Sequence, residues 1–189
     1  MVNIVKVFTD GNETDAVELD RPLSIDNCIL CSNDSPPLLP RQTAILREWE
    51  SVLIIITRSK NSNTVVYRKS SNEPIEVFWQ RFADYPDTVV DDATLREELS
   101  WIQKKMAYGI NVVDDSVTLT ACPDLRMTLT TDRFNIPRLQ LEISGRDCYL
   151  LRIYVEAREN IFGLPTVIYT NIHAVDFRTG QELVVKVKP

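Results

Sequence analysis

The chain has 189 residues, 44% of them hydrophobic and 25% charged, with 27 acidic against 21 basic side chains and a formal charge of −6. A chain of that length buries roughly 70% of the surface its unfolded form exposes, so it folds without a metal or a disulfide framework, and its composition excludes general disorder. The acidic balance argues against nucleic acid as a partner, and no run of about 18 apolar residues offers a transmembrane segment.

In chain order, residues 2–8 read as a first strand, ended by the turn Asp10-Gly11-Asn12, with 16–19 as its hairpin partner and 24–31 as a further β-like stretch. Residues 1–9 are too short for a secretory core and contain Lys6. The expectation is therefore an intracellular, cytoplasmic and reducing setting, in which the sequons at Asn12 and Asn33 stay unused. Residues 32–41 carry Pro36, Pro37 and Pro40, which remove backbone donors and fix φ. They read as an exposed arm or loop: a plain linker, or a docking segment for an aromatic groove on a partner. The run Val-Leu-Ile-Ile-Ile-Thr at 52–57 is β-branched and too short for an independent helix, which predicts a strand buried on both faces. It returns through a turn at 59–63 as a strand at 64–67.

The period then changes. Ile75, Phe78, Trp79 and Phe82 recur at i, i+3, i+4 and i+7 after Asn72 and Pro74, which predicts a helix over 74–83 with an aromatic face and Trp79 in the core. A second helix is predicted over about 93–108, striped by Leu95, Leu99, Ile102 and Met106. Asp91 and Asp92 would mark its start, Lys104 and Lys105 its end, and Gly109 a left-handed cap. From residue 116 onward the pattern is β, with strands at 117–121, 125–130, 139–143, 149–157, 166–177 and 183–187 separated by turn signals. Such short connections hold no parallel crossover, so the pairing should be mostly antiparallel. Leu151, Ile153, Val155 and Ala157 alternate with Arg152, Tyr154 and Glu156, which predicts one dry and one wet face. The expected fold is a single α+β domain over 1–189: a mostly antiparallel sheet or two-sheet sandwich with a two-helix insertion at about 74–83 and 93–108.

Chemistry is sparse. Cys28, Cys31, Cys122 and Cys148 match the number of thiols in a tetrahedral zinc site, but the spacer Ile29-Leu30 is not turn-forming and the other two cysteines are isolated. Buried apolar packing explains them better. The only histidine, His173, shares a strand face with Tyr169 and Asn171, and neither Cys122 nor Cys148 lies in a Gly-rich elbow that would make a Cys-His nucleophile. Asp91-Asp92 and Asp114-Asp115 read as a helix start and a turn. All five glycines fall at turns or helix ends, which leaves none for a phosphate loop.

No catalytic residue and no cofactor is therefore expected, and Pro36, Pro37, Pro40, Trp49 and Trp101 remain as interaction candidates, one of the two tryptophans being left over for a subunit contact. The expected function is a non-enzymatic self-assembling or interaction protein, with a viral or phage matrix- or capsid-type subunit, found in the virion, as one form of it. Its partner is a second copy or another protein. The alternatives are an intracellular adaptor for a single protein and a zinc- or cysteine-dependent enzyme.

Overall fold

The computed structural model describes residues 3–9, 12–19, 29–30, 35–48, 51–84, 95–159 and 165–188. Strands dominate it. The N-terminal strands β1 (Asn3–Thr9) and β2 (Asn12–Leu19) form an antiparallel hairpin, as their turn signal predicts. All other described strands belong to one sheet of twelve.

That sheet is organised by its longest strand, β12 (Arg146–Glu159). Along one edge β12 pairs over most of its length with β13 (Pro165–Asp176), which pairs with β14 (Glu182–Val187) and, through it, with β3 (Ile29–Leu30). The other edge is shared. Residues 146–149 pair antiparallel with β11 (Pro137–Ile143), while residues 152–155 pair parallel with β4 (Val52–Arg58). Two wings therefore leave the same edge of β12. One wing is β4, β5 (Asn61–Lys69), β6 (Ile75–Gln80) and β7 (Arg96–Glu98); the other is β11, β10 (Cys122–Thr131), β9 (Ser116–Leu119) and β8 (Ile110–Val113).

The wings curl toward each other around the main core. Leu53, Ile54, Val65, Tyr67 and Trp79 from the first wing meet Val117, Leu119, Met127, Leu139 and Leu141 from the second, with Ile153 and Ile172 at the base. One continuous, curled mixed sheet thus stands where separate sheets of a sandwich are one of the two expected forms. All pairs are antiparallel except β4 with β12. A second, smaller core lies on the outer face of the first wing, where Ile45 of helix α1 (Pro40–Glu48) packs over Val52, Ile55, Val66, Phe78, Phe82 and Leu95.

Both expected helices need correction. Residues 75–80 form strand β6, paired with β5 on one side and β7 on the other. The helical spacing has a different origin: Ile75 and Trp79 enter the main core while Phe78 and Phe82 enter the outer one. A strand buried on both faces mimics an apolar helix face over so short a stretch, and Ile, Val, Phe and Trp all favour the pleated conformation. In the second case Leu95 and Leu99 fall in different cores, and β7 lies between them. Among the described residues of that stretch, 101–108 form the helical segment, as α2 (Trp101–Gln103) running into a π-helical segment, Lys104–Tyr108. Its start is set by a capping box: the Gln103 N–H donates to Ser100 Oγ at 3.3 Å and the Ser100 N–H to Gln103 Oε1 at 2.8 Å. The proposed cap at Asp91 and Asp92 lies outside the described residues.

Candidate functional site

The prolines of 35–40 do not hang free; they strap the outer face of β12 and β13. Pro36 and Pro37 lack N–H groups, so the strap is held through its carbonyl and side chains. Arg152 donates from both terminal nitrogens to the Pro36 carbonyl, at 3.3 and 3.2 Å. Asn171 Nδ2 donates to Ser35 Oγ at 2.6 Å. Downstream, Leu39 N–H donates to Gln42 Oε1 at 3.0 Å, and Gln42 Nε2 to Thr64 Oγ1 at 3.2 Å, where Pro40 opens α1. Pro36 and Pro37 themselves are exposed.

His173 sits under this strap, buried, with Nε2 3.0 Å from Ser35 Oγ and Nδ1 3.3 Å from Glu182 Oε1. The carboxylate at Nδ1 assigns the imidazole proton to that nitrogen, so Nε2 accepts from the serine hydroxyl. The order serine, histidine, carboxylate matches the connectivity of a hydrolase triad. A nucleophile there would further need backbone donors for an oxyanion, and the two residues after Ser35 are prolines that supply none. Asn171 also donates into the oxygen that would attack. What the contacts accomplish is to hold the strap.

Burial, and next the charge of Arg152, lower the pKa of His173 below its ordinary 6.5, against an opposing pull from Glu182. The folded chain therefore binds fewer protons than the unfolded one just below that value, and stability rises with pH in that window. His173 contributes fully above pH 6.5, and the contribution is lost as the pH falls from there toward the lowered folded-state pKa. Asp176, held below 3.8 by the N–H groups of Arg178 and Thr179, acts only under pH 3.8. Thermal melts from about pH 7.5 to about pH 4.5 are expected to show a declining Tm that His173→Gln flattens; equal slopes in the two proteins would contradict the assignment.

The two described thiols, Cys122 and Cys148, form no disulfide. Cys148 is buried in the main core, its Sγ 3.4 Å from the Arg146 carbonyl, and burial, then Asp176 and Asp147, push its pKa up to about 11. Cys122 opens β10, and its pKa is raised chiefly by burial and also by Asp124. Both thiols are thus disfavoured as thiolates, the form a nucleophile needs. Cys28 and Cys31 lie outside the described residues, and among those described no three His, Cys, Asp or Glu side chains gather to hold an ion.

Among the described residues are two cavities of note. An apolar one of about 480 Å³ opens beside Leu125, Ile153 and Val155, with Cys122 in its wall and Asp124 and Lys188 among its lining. A wider cleft of about 880 Å³ follows the seam where β6 and Glu98 of β7 face β8. Trp101, Lys104 and Lys105 stand on its rim. There α2 and the π-helical segment that continues it present apolar side chains outward: Trp101 and Met106 are each 70% exposed and Ile102 54%. Ile102 and Met106, expected in the core, are instead on the surface, because the helix crosses the seam at its end and does not cover the sheet. Trp49 lies outside the described residues.

Of the expected interaction residues, then, the structure places Trp101 on an exposed face and the three prolines in a fastened strap. The sequence reading places Asn171 on the His173 face but singles out neither it nor Ser35, Arg152 and Glu182 as partners of the histidine. The alternation in β12 marks Arg152 as polar-facing, but nothing local tells that a segment 116 residues upstream covers that face.

These features define a mainly β domain with few helices, built on one curled mixed sheet, and no described helix is long and apolar enough to cross a membrane. The chain belongs to the family described as a domain of unknown function, DUF4833, whose profile matches residues 54–186. The match takes in both wings, the β12–β14 base and α2, and leaves out the strap. No curated protein and no solved structure matches the chain.

Proposed function

We propose that this chain is a non-enzymatic, self-assembling interaction protein whose contact surface is the outward face of α2. The observation that carries this reading is the exposure of Trp101, together with Ile102 and Met106 on the same short helix. Large apolar side chains scattered singly need no explanation, but three on one helix, one of them tryptophan, have the composition of a contact hot spot. The non-enzymatic part is supported by the occupation of the chain's reactive groups. Its single histidine holds the strap, and the two described thiols are disfavoured as thiolates. Their unpaired state also supports an intracellular setting.

An adaptor working through residues 36–41 has less support, since Pro36, Leu39 and Gln42 are already bonded to neighbouring segments of the chain. A matrix- or capsid-type subunit, viral or otherwise, would need a second contact surface, because a self-complementary patch alone closes at a dimer.

Light scattering over a hundredfold concentration range tests the reading. The wild-type chain is expected to gain mass with concentration. Trp101→Ala is expected to weaken association about tenfold or more while changing folding stability by no more than about 0.5 kcal/mol, as befits an exposed position. A wild-type chain that stays monomeric throughout would end the reading.

A further inference from the structure

Beyond self-assembly, we propose that the seam cleft takes an extended peptide segment of another protein, which adds as a strand between β6 and β8. The basis is that both walls of the cleft are open sheet edges. The ladder of the large sheet ends at β7 on one side and at β8 on the other. β7 covers only residues 78–80 of β6, and β8 pairs with β9 alone, so residues 75–77 and 110–113 have no strand on their second side among the described residues. These two uncovered edges face each other across the cleft of about 880 Å³, Ile75 and Val77 lining one wall and Ile110 and Val112 the other.

Backbone groups alternate in direction along a strand, so neighbouring bonds fix which of them are left over. The Thr120 N–H donates to the Gly109 carbonyl at 2.8 Å on the β9 side. Residues 111 and 113 turn the same way, and Ile110 and Val112 direct their N–H and C=O groups into the cleft. On the opposite wall the Arg81 N–H donates to the Leu95 carbonyl at 2.9 Å on the β7 side, and the same alternation directs the groups of Val77 and Ile75 away from β5 and into the cleft. Ile75 is buried and the other three residues are half-buried, where unpaired backbone groups are costly. An extended chain laid between the edges pairs with both walls at once, whereas a compact small molecule has no such repeating ladder.

Strand direction fits the same occupant. β4 runs parallel to β12, and two antiparallel steps carry that sense to β6; four antiparallel steps through β11, β10 and β9 carry it to β8. β6 and β8 therefore share one sense. A single added strand can run antiparallel to both, the arrangement of every described pair except β4 with β12. Val77, Ile110 and Val112 pack inward against the main core, and Glu76 and Asn111 alternate with them on the other face. The segment that fits thus alternates apolar and polar residues over about five positions. Lys104 and Lys105 share the lining with Glu73 and Glu98, so charge favours neither an acidic nor a basic segment, and the backbone leads recognition. Every described strand of a second copy already lies in a ladder, and its strap at residues 35–39 is bonded to its own sheet. A free linear segment therefore comes from a different protein.

Panning a phage-displayed library of random peptides, each about twelve residues long, against the full chain tests the proposal. Enriched sequences are expected to alternate apolar and polar residues. The leading peptide, labelled with fluorescein, is then titrated by fluorescence anisotropy against wild type and Val112→Pro, which removes a cleft-facing N–H and leaves the β9 ladder its bonds. Affinity for the proline variant is expected to fall about tenfold or more, as is wild-type affinity for copies of the peptide N-methylated at alternate residues in either register. Far-ultraviolet circular dichroism establishes that Val112→Pro is folded; should it fail to fold, the N-methylated peptides decide the matter on the wild-type chain. No enriched sequence, or binding that survives the proline or N-methylation in both registers, would overturn strand addition. Wild-type dimers that Val112→Pro abolishes, with no peptide bound, would give the cleft to a second copy and overturn the partner named here. The self-assembly reading fails separately, since a chain that stays monomeric in light scattering yet binds the peptide ends that reading and leaves this one standing.

Discussion

Replacing Trp79 with alanine is expected to destabilise the chain by about 3–5 kcal/mol, which for a domain of this size lowers Tm by roughly 10 °C. Trp79 is 3% exposed in the main core, with its ring edge-on to Tyr108 at 5.2 Å between centroids. The guanidinium of Arg58 lies 4.7 Å from the ring centroid, and its buried Nε has no hydrogen-bond partner. Truncation would therefore remove apolar burial, open a cavity between the wings, and strip a half-buried cation of its aromatic face. Trp79 Nε1 makes no hydrogen bond either, so Trp79→Phe loses none and should cost only about 1–2 kcal/mol. Urea unfolding followed by circular dichroism measures both. A loss below about 1 kcal/mol for the alanine variant would mean that Trp79 does not join the two wings.

How well each element could be read depended on whether local sequence or distant packing decides it. The strands at 52–57, 139–143, 149–157 and 183–187 follow from β-branched runs and alternation alone, and they lie where the sheet has strands. Turn chemistry was equally legible: Asp114, Asn135 and Ser144 have positive φ at predicted turns, and Gly145, at φ 74°, completes the last of them. Residues 75–80 were misread because two cores, one on each face, were collapsed into one apolar stripe. No window of sequence carries that information, since the outer core exists only once α1 has packed on the wing. The Ser100-x-x-Gln103 box was present to be read, and it would have moved the helix start from 93 to 101. Trp101, singled out as a tryptophan left over, has an exposed position precisely because the helix is short. The network around His173 was beyond reach in principle, because Ser35 meets His173, and Pro36 meets Arg152, across more than a hundred residues of chain that no local pattern connects.

Gly109→Ala tests the joint between α2 and the two wings. Gly109 has φ −64° and ψ 156°, a conformation any residue adopts, so backbone strain is not what requires glycine. Space does. A Cβ would fall inside contact distance of the Lys104 carbonyl oxygen and 2.5 Å from Thr120 Oγ1, and backbone on the helix side cannot swing away as a flexible side chain would. Around this point the helix end is tied to both wings: Tyr67 Oη donates to the Tyr108 carbonyl at 2.8 Å, and the Thr120 N–H to the Gly109 carbonyl at 2.8 Å. Alanine narrows the unfolded ensemble, an effect worth about 0.4–1 kcal/mol in its favour, whereas overpacking a filled site costs about 1–3 kcal/mol and more where backbone must move. The steric cost wins. A net destabilisation of roughly 2 kcal/mol is expected in urea unfolding, with an unchanged or raised midpoint as the contrary result. Because the displaced element carries Trp101, Gly109→Ala is also expected to weaken self-association, and that pairing separates it from Trp101→Ala. The first variant loses stability and association together; the second loses association alone, as a residue that serves only the contact must.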